Sequence, residues 1–413
     1  MKGKKKPELL APAGDKEKLE TALRYGADAV YLGGPAYGLR AQSGNFSREE
    51  LPRVLALAHA QGKKAYVTVN VYPHNEELVD LPDYLRYLHE IGTDAVLIAD
   101  LGIFSIARET VPQLPIHIST QANTVNWAAA EAWRRMGASR VVLAREMSFK
   151  EIREIRQHSS AELEIFVHGA MCISYSGRCL ISSYLTGRDA NQGNCTQPCR
   201  WRYRLVEEQR PGQYFPVEED ERGTYFFYSK DLCLLPHIAE ILESGIDSLK
   251  IEGRMKGVHY VASVTKTYRA AIDSYFDDPT RFYIAPQWRE ELDKVSHRAY
   301  TVGFYDGAPE AAGQIYGNAS YIQTSEFVGL VESYDAKTGW AVVEQRNNMK
   351  EGQEIEIFQP DASLFRQYLE EMQDEDGTPI DVAPHAQQRL RIKMRKPVVA
   401  GAILRRPLTG KEA

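Results

Sequence analysis

GADAVYLGG, residues 26–34, is the phrase that decides the fold. Its glycine stands where a helix ends, because the left-handed C′ position costs glycine little. Two residues later an aliphatic run begins that is apolar on both faces, as a buried parallel strand is. The phrase recurs as GTDAVLIAD from Gly92, GASRVVLAR from Gly137 and GIDSLKIEG from Gly245. Between the repeats lie ELLAP from Glu8, KKAYVTVN from Lys63, PIHIST from Pro115 and ELEIFVHG from Glu162. Helical patterns separate these runs at Asp15–Tyr25, Ser47–Gln61, Glu76–Ile91, Val125–Met136 and Phe149–His158. The glycine phrase therefore marks the second, fourth, sixth and eighth of eight strands. Strand–helix alternation implies a parallel sheet. Eight units over about 250 residues is the size of a closed (β/α)8 barrel. We expect an α/β chain with a TIM-like barrel over residues 1–276, in preference to an open doubly wound sheet.

That expectation locates a site. Active sites of such barrels lie at the C-terminal ends of the strands. Those ends carry Pro12, Ala13 and Gly14; Gly33 and Gly34; Asn70; Asp100; Ser119, Thr120 and Gln121 with Asn123; Arg145 and Glu146; His168; and Glu252 with Arg254. Polar groups and glycines converging on one rim mean more than any single residue. His168 also reads as a hydrogen-bonded core histidine.

After the seventh strand an insertion over about residues 170–233 stands where only a helix is needed. Long insertions on an active face are usually functional. It holds all five cysteines: Cys172, Cys179, Cys195, Cys199 and Cys233. Its segments RWRYRLVEE and GTYFFYS alternate like short antiparallel strands, and DLCLLPHIAEILES supplies the seventh helix. The chain has no apolar run long enough to span a membrane and no signal-peptide pattern at MKGKKKPELLAPAG. We read it as cytoplasmic, where clustered cysteines serve metals or catalysis more often than disulfides. A 4Fe–4S cluster takes four thiolates at diverse spacings. Structural zinc prefers close pairs, and only Cys195 and Cys199 qualify. Buried thiols and thiol redox chemistry stay open beside these. The CxxxCxxC run of radical-SAM enzymes is absent.

Beyond the barrel, 277–325 reads as a helical and loop connector, with a helix near Gln287–Val295. From about Phe327 the period changes to short strands, which predicts a small β-barrel over 326–413. Ala362–Gln373 reads as either a helix or a hairpin arm. Arg389, Arg391 and Lys393 share one strand face, with Arg395, Lys396, Arg405 and Arg406 close in sequence. With Arg200, Arg202 and Arg204 of the insertion they form candidate phosphate contacts. Such contacts must be local, because the net charge is −6. The bland alternative is a solvated strand face.

The residues Glu164-x-Phe166-x-x-Gly169-Ala170-Met171-Cys172, then Gly177-x-Cys179-x-x-Ser182, resemble the signature of the collagenase-like peptidase family, family thirty-two of unclassified catalytic type. TGRDANQGNCTQPCRWRY, YFFYSKDLC, SLKIEGRMK, ELLAPAGD and GADAVYLGG extend the resemblance over nearly the whole chain. The branch it most resembles acts on tRNA. The resemblance implies an oxygen-independent hydroxylase with a 4Fe–4S cluster, making 5-hydroxyuridine at the wobble position with prephenate as the donor. By that resemblance the cluster ligands are Cys172, Cys179, Cys195 and Cys233, with Cys199 as the alternative fourth.

On this reading Arg145, Arg254 and Lys250 are candidates for a dicarboxylate donor, and Gln121 and Asn123 for further substrate contacts. His168, Glu146 and Glu252 are candidate proton-transfer groups. Expected partners are the anticodon region of tRNA, whose bases are already unpaired, a small dicarboxylate and an unidentified electron-donor protein. Two other readings are carried: a peptidase, though neither HExxH nor GxSxG is present, and a non-catalytic RNA-binding scaffold.

Overall fold

The computed structural model describes residues 5–39, 44–172, 174–198, 205–206, 214–215, 218–220, 223–225, 228–307, 314–315 and 321–408. Strands β1 (Glu8–Pro12), β2 (Ala29–Gly33), β3 (Lys64–Val69), β4 (Ala95–Ile98), β5 (Ile116–Ile118), β6 (Arg140–Val142), β7 (Glu162–Ala170) and β8 (Ser248–Ile251) pair in sequence order. Parallel pairing of β8 with both β1 and β7 closes the ring, with Glu8 opposite Ser248 and Glu164 opposite the same residue. The expected (β/α)8 barrel is present. The glycines of the four repeats carry φ of +105°, +82°, +110° and +80° at residues 26, 92, 137 and 245. That is the left-handed helix exit that only glycine adopts cheaply.

Helices α1 (Lys16–Arg24), α2 (Leu51–His59), α3 (Leu81–Glu90), α4 (Leu101–Thr110), α5 (Trp127–Met136) and α6 (Phe149–His158) pack outside. Their starts are written in the sequence. Asp15 accepts from the Lys18 N–H, Asn126 from that of Ala129, and Ser148 with Glu151 forms a reciprocal capping box. Each cap stabilises by about 1 kcal/mol. Asp100, expected on the catalytic rim, caps α4 by accepting from the Ile103 N–H.

Strand alternation sorts the core into two layers. Leu9 and Ala11 pack outward under the helices, while Leu10 joins Ala29, Tyr31, Tyr66, Ala95 and Leu97 in the lumen. Beside that cluster the lumen carries charge. Arg140 bonds Glu8 at 2.6 Å and Glu164 at 3.1 Å, and Lys250 bonds the other Glu164 oxygen at 2.9 Å.

The insertion departs from the expected helix. Asp231–Cys233 is a strand, antiparallel to the end of β7, with Cys233 opposite His168. Two buried groups force this arrangement: Arg298 bonds Asp231 at 2.6 Å and ties the strand to residues 297–301. The short helix α7 (Ile181–Thr186) precedes it, and the seventh barrel helix α8 begins only at Ile238. Leu205–Val206, within RWRYRLVEE, pairs antiparallel with Tyr214–Phe215, and Gly223–Tyr225, within GTYFFYS, with Glu218–Asp220.

Helix α9 (Val258–Asp277) and α10 (Pro286–Asp293) lead to a seven-stranded antiparallel sheet built from Ser325–Asp335 onward. Leu364–Tyr368 pairs with Glu354–Phe358, so the ambiguous arm is a hairpin. The sheet is keyed to the barrel through buried groups. The Tyr25 hydroxyl donates to the Phe358 and Gly401 carbonyls, at 3.0 Å each. Arg405, expected among the phosphate contacts, is 0% exposed and bonds Glu291 and Glu356 at 2.6 and 2.7 Å. It belongs to the domain interface because a buried guanidinium needs carboxylates around it.

Candidate active site at the barrel mouth

Three strand ends meet around Arg254. Its residue is 3% exposed, and its Nη1 donates to Thr68 Oγ1 of β3 at 3.3 Å. A Cβ on Gly33 would stand 2.5 Å from that Nη1, and one on Gly14 would stand 2.3 Å from the Arg254 carbonyl oxygen. Both rim glycines are therefore steric requirements of this arginine. Glu252, two residues before it, accepts from the Tyr31 hydroxyl at 3.1 Å. Tyr31 in turn lies 4.5 Å from the Lys250 ammonium, which is committed to Glu164. Lys250 is thus an internal support of the lumen, not a group offered to a donor. It shares the inward face with Glu252, two residues on.

A second group holds the insertion over the rim. Arg145 donates to the Ala170 carbonyl at 2.6 Å and to Ser176 Oγ at 3.0 Å, with its guanidinium 5.2 Å from the Phe166 ring. Asn123 adopts φ +52° and donates to the carbonyls of Gln121 and Ser176 at 2.8 and 3.2 Å. Gln121 accepts from Ser119 through its side chain and from Tyr72 through its backbone. Arg145 and Asn123, expected to touch substrate, hold Ala170 and Ser176 to the barrel, and Gln121, expected likewise, accepts from Asn123 beside them. Glu146 beside them is half-buried, and burial pushes its carboxyl up, toward proton exchange nearer neutrality.

His168 is a core histidine. It is 1% exposed, with the rings of Tyr260, Tyr268 and Tyr300 at 6.0, 5.6 and 5.2 Å. The Tyr268 hydroxyl lies 3.4 Å from its Nδ1. Burial drives its pKa down to about 3, so it stays neutral and is a poor base at pH 7. Of the arginines expected to bind RNA, Arg389 pairs with Glu332 at 3.1 Å, and Arg391 lies over Trp340 at 5.9 Å. Arg200, Arg202 and Cys199 lie outside the described residues.

Residues 14–315 match the family model "Peptidase family U32", and residues 323–405 match its C-terminal domain. The chain belongs to peptidase family U32. Over 402 residues this U32 chain is 43% identical to "tRNA hydroxylation protein P1" of Bacillus subtilis, covering 97% of this chain and 95% of that one. It is 39% identical to "tRNA hydroxylation protein P" of Escherichia coli, covering 92% of each. It is also 33% identical to the Escherichia coli "23S rRNA 5-hydroxycytidine C2501 synthase", over 78% of this chain and 48% of that one.

The cysteines of this U32 chain have the donor chemistry for an iron–sulfur cluster. Cys172 and Cys195 are exposed, Cys179 is half-buried, and all are free thiols. Cys233 is also free but buried, and burial pushes its thiol up. The four are not gathered: among the described residues no three His, Cys, Asp or Glu side chains form a group able to hold a metal ion.

Sequence reasoning missed Tyr31, Thr68, Tyr260 and the Asp231–Arg298 pair. For the lumen network a signal existed. Glu164 and Lys250 stand in the middle of apolar strands, where an unpaired charge is not tolerated.

Proposed function

We propose that this chain hydroxylates pyrimidines in RNA, and specifically converts the wobble uridine of tRNA to 5-hydroxyuridine without molecular oxygen. The observation that carries the reading is full-length similarity, rim and insertion included, to a protein named for tRNA hydroxylation. A second relative's name specifies hydroxylation at C5 of a pyrimidine, the same ring position. Prephenate is the proposed oxygen source. Arg254 is the group suited to a donor carboxylate, because a guanidinium pairs with carboxylates and this one stands at the strand ends, its position dependent on Gly33. Glu252, which accepts from the Tyr31 hydroxyl, is our candidate to accept the proton leaving the uracil ring. Glu146 is the second acid–base candidate. Arg145 and Asn123 position the insertion that covers the target. Cys172, Cys179 and Cys195, with Cys233 or Cys199, are the thiolates that would hold a 4Fe–4S cluster, which supplies redox chemistry when bound.

A peptidase reading lacks an activated nucleophile among the described cysteines. Cys233 faces His168 in the strand register, but burial raises the thiol and keeps the imidazole neutral. The test is nucleoside mass spectrometry of tRNA from a deletion strain, complemented with wild type or with Arg254→Met. Loss of 5-hydroxyuridine on deletion, restored by wild type alone, supports the reading. Unchanged 5-hydroxyuridine on deletion sinks it. Iron and acid-labile sulfide measured on protein purified without oxygen test the cluster separately.

A further inference from the structure

Helix α7 is turned inside out. Its hydroxyls face inward: Ser182 is 0% exposed, its Oγ accepts from the Thr196 N–H at 3.1 Å, and Thr186 donates to the Ser182 carbonyl at 2.8 Å. Its apolar side chains face solvent. Tyr184 is 88% exposed, Leu180 66%, Leu185 45% and Ile181 36%. Leu180 and Tyr184, like Ile181 and Leu185, are four residues apart, so the side chains form one stripe. Scattered exposed apolar residues are ordinary, but a contiguous stripe over a polar inner face marks a contact surface.

The stripe is continuous with the mouth. Ser176 is held by Asn123 and Arg145, and a Cβ on Gly177 would lie 3.1 Å from both Gln121 and Tyr72. Arg178 then lies over the Tyr72 ring at 5.6 Å. Tyr175, 45% exposed, stands just before this anchor. Residues 174–188 contain Arg178 and Arg188 and no carboxylate, in a chain whose net charge is −6. An exposed ring, Tyr184, lying in sequence between Arg178 and Arg188 matches unpaired nucleotides: a ring stacks on any base face, and the cations meet the phosphates. A purely apolar protein partner would not call for the two cations.

We infer that α7, with Arg178 and Arg188, is a stacking platform for unpaired nucleotides flanking the target base. This rests on the RNA-hydroxylation reading and names the part of the chain that grips the loop. The test uses full-length protein and a fluorescein-labelled anticodon stem–loop, with a blunt duplex of equal length as control. Tyr184→Ser weakens stem–loop binding about tenfold, Tyr184→Trp keeps it, and duplex binding is unchanged in both. Circular dichroism checks that the fold survives. Wild-type affinity in Tyr184→Ser overturns the platform and leaves the hydroxylation reading standing. If wild type itself binds no stem–loop, both fall. If light scattering finds a wild-type dimer that Tyr184→Ser splits into monomers, a second copy of the chain covers the stripe and the inference is wrong.

Discussion

Replacing Lys250 by methionine removes one cation from the lumen and leaves its volume nearly unchanged. Glu164 is 0% exposed, with one oxygen 2.9 Å from Lys250 Nζ and the other 3.1 Å from Arg140 Nη1. Burial alone would raise its carboxyl, yet Lys250 and Arg140 outweigh burial and hold it at about 2. Without Lys250, Arg140 must serve Glu8, Glu162 and Glu164 by itself. A buried pair broken on one side costs about 3–5 kcal/mol. Removing the ammonium from between Tyr31 and Phe166 adds up to about 1 kcal/mol. Glu164→Gln strands the ammonium and costs a similar amount. The double substitution Glu164→Gln/Lys250→Met leaves neither charge, so its cost should fall short of the sum by about 2–3 kcal/mol. Guanidinium titrations at pH 7, followed by far-UV circular dichroism, measure all four proteins. The reasoning is refuted if Lys250→Met unfolds at the wild-type midpoint, or if the two single costs simply add.

Gly33→Ala should leave the barrel folded but displace the Arg254 guanidinium, which a Cβ would approach to 2.5 Å; calorimetry should show prephenate binding weakened about tenfold or more. Arg405→Met removes the buried cation between Glu291 and Glu356 and leaves both with Lys294; it should cost up to about 3 kcal/mol, and limited proteolysis should release the C-terminal sheet. His168 and His259 are held near 3 by burial, against an ordinary 6.5. Below pH 6.5 the unfolded chain takes up protons that the native state refuses, so stability falls as pH drops toward 3. Glu164 and Glu356, held at about 2 against an ordinary 4.5, carry the loss further down; a melting temperature that rises between pH 7 and pH 5 contradicts this. Cys233→Ser should lower iron content more than Cys199→Ser if Cys233 is the fourth ligand, and the reverse result assigns Cys199.

The fold was legible because its signals are local and repeated. A glycine at a helix exit followed by a two-sided apolar run needs no knowledge of distant residues, and four copies of it leave little choice but a parallel barrel. The rim was legible for the same reason, since strand ends in a closed barrel all face one mouth. Side-chain roles were less legible, because they depend on what folds back. Arg145 reads as a substrate arginine until the insertion delivers Ala170 and Ser176 to it. Arg405 reads as surface charge until α10 brings Glu291 within 2.6 Å. Both corrections run the same way. An arginine's reach lets it satisfy a partner far away in sequence, so alternation along its own strand says little about its use.

That pattern bears on which basic groups have a structural task. Arg145 is occupied by backbone and serine oxygens, Arg140 and Arg405 by carboxylates, and Lys250 by Glu164. Each has a structural task whose loss would be felt in folding. Arg254 differs in what surrounds it. Its Nη1 donates to the Thr68 hydroxyl, and Gly33 leaves that nitrogen the place a Cβ would take. Larger residues at 14 and 33 would collide with its carbonyl oxygen and its Nη1. The two glycines are what let Arg254 sit among the strand ends, so Gly33→Ala tests the arginine's position, while Arg254→Met tests its charge.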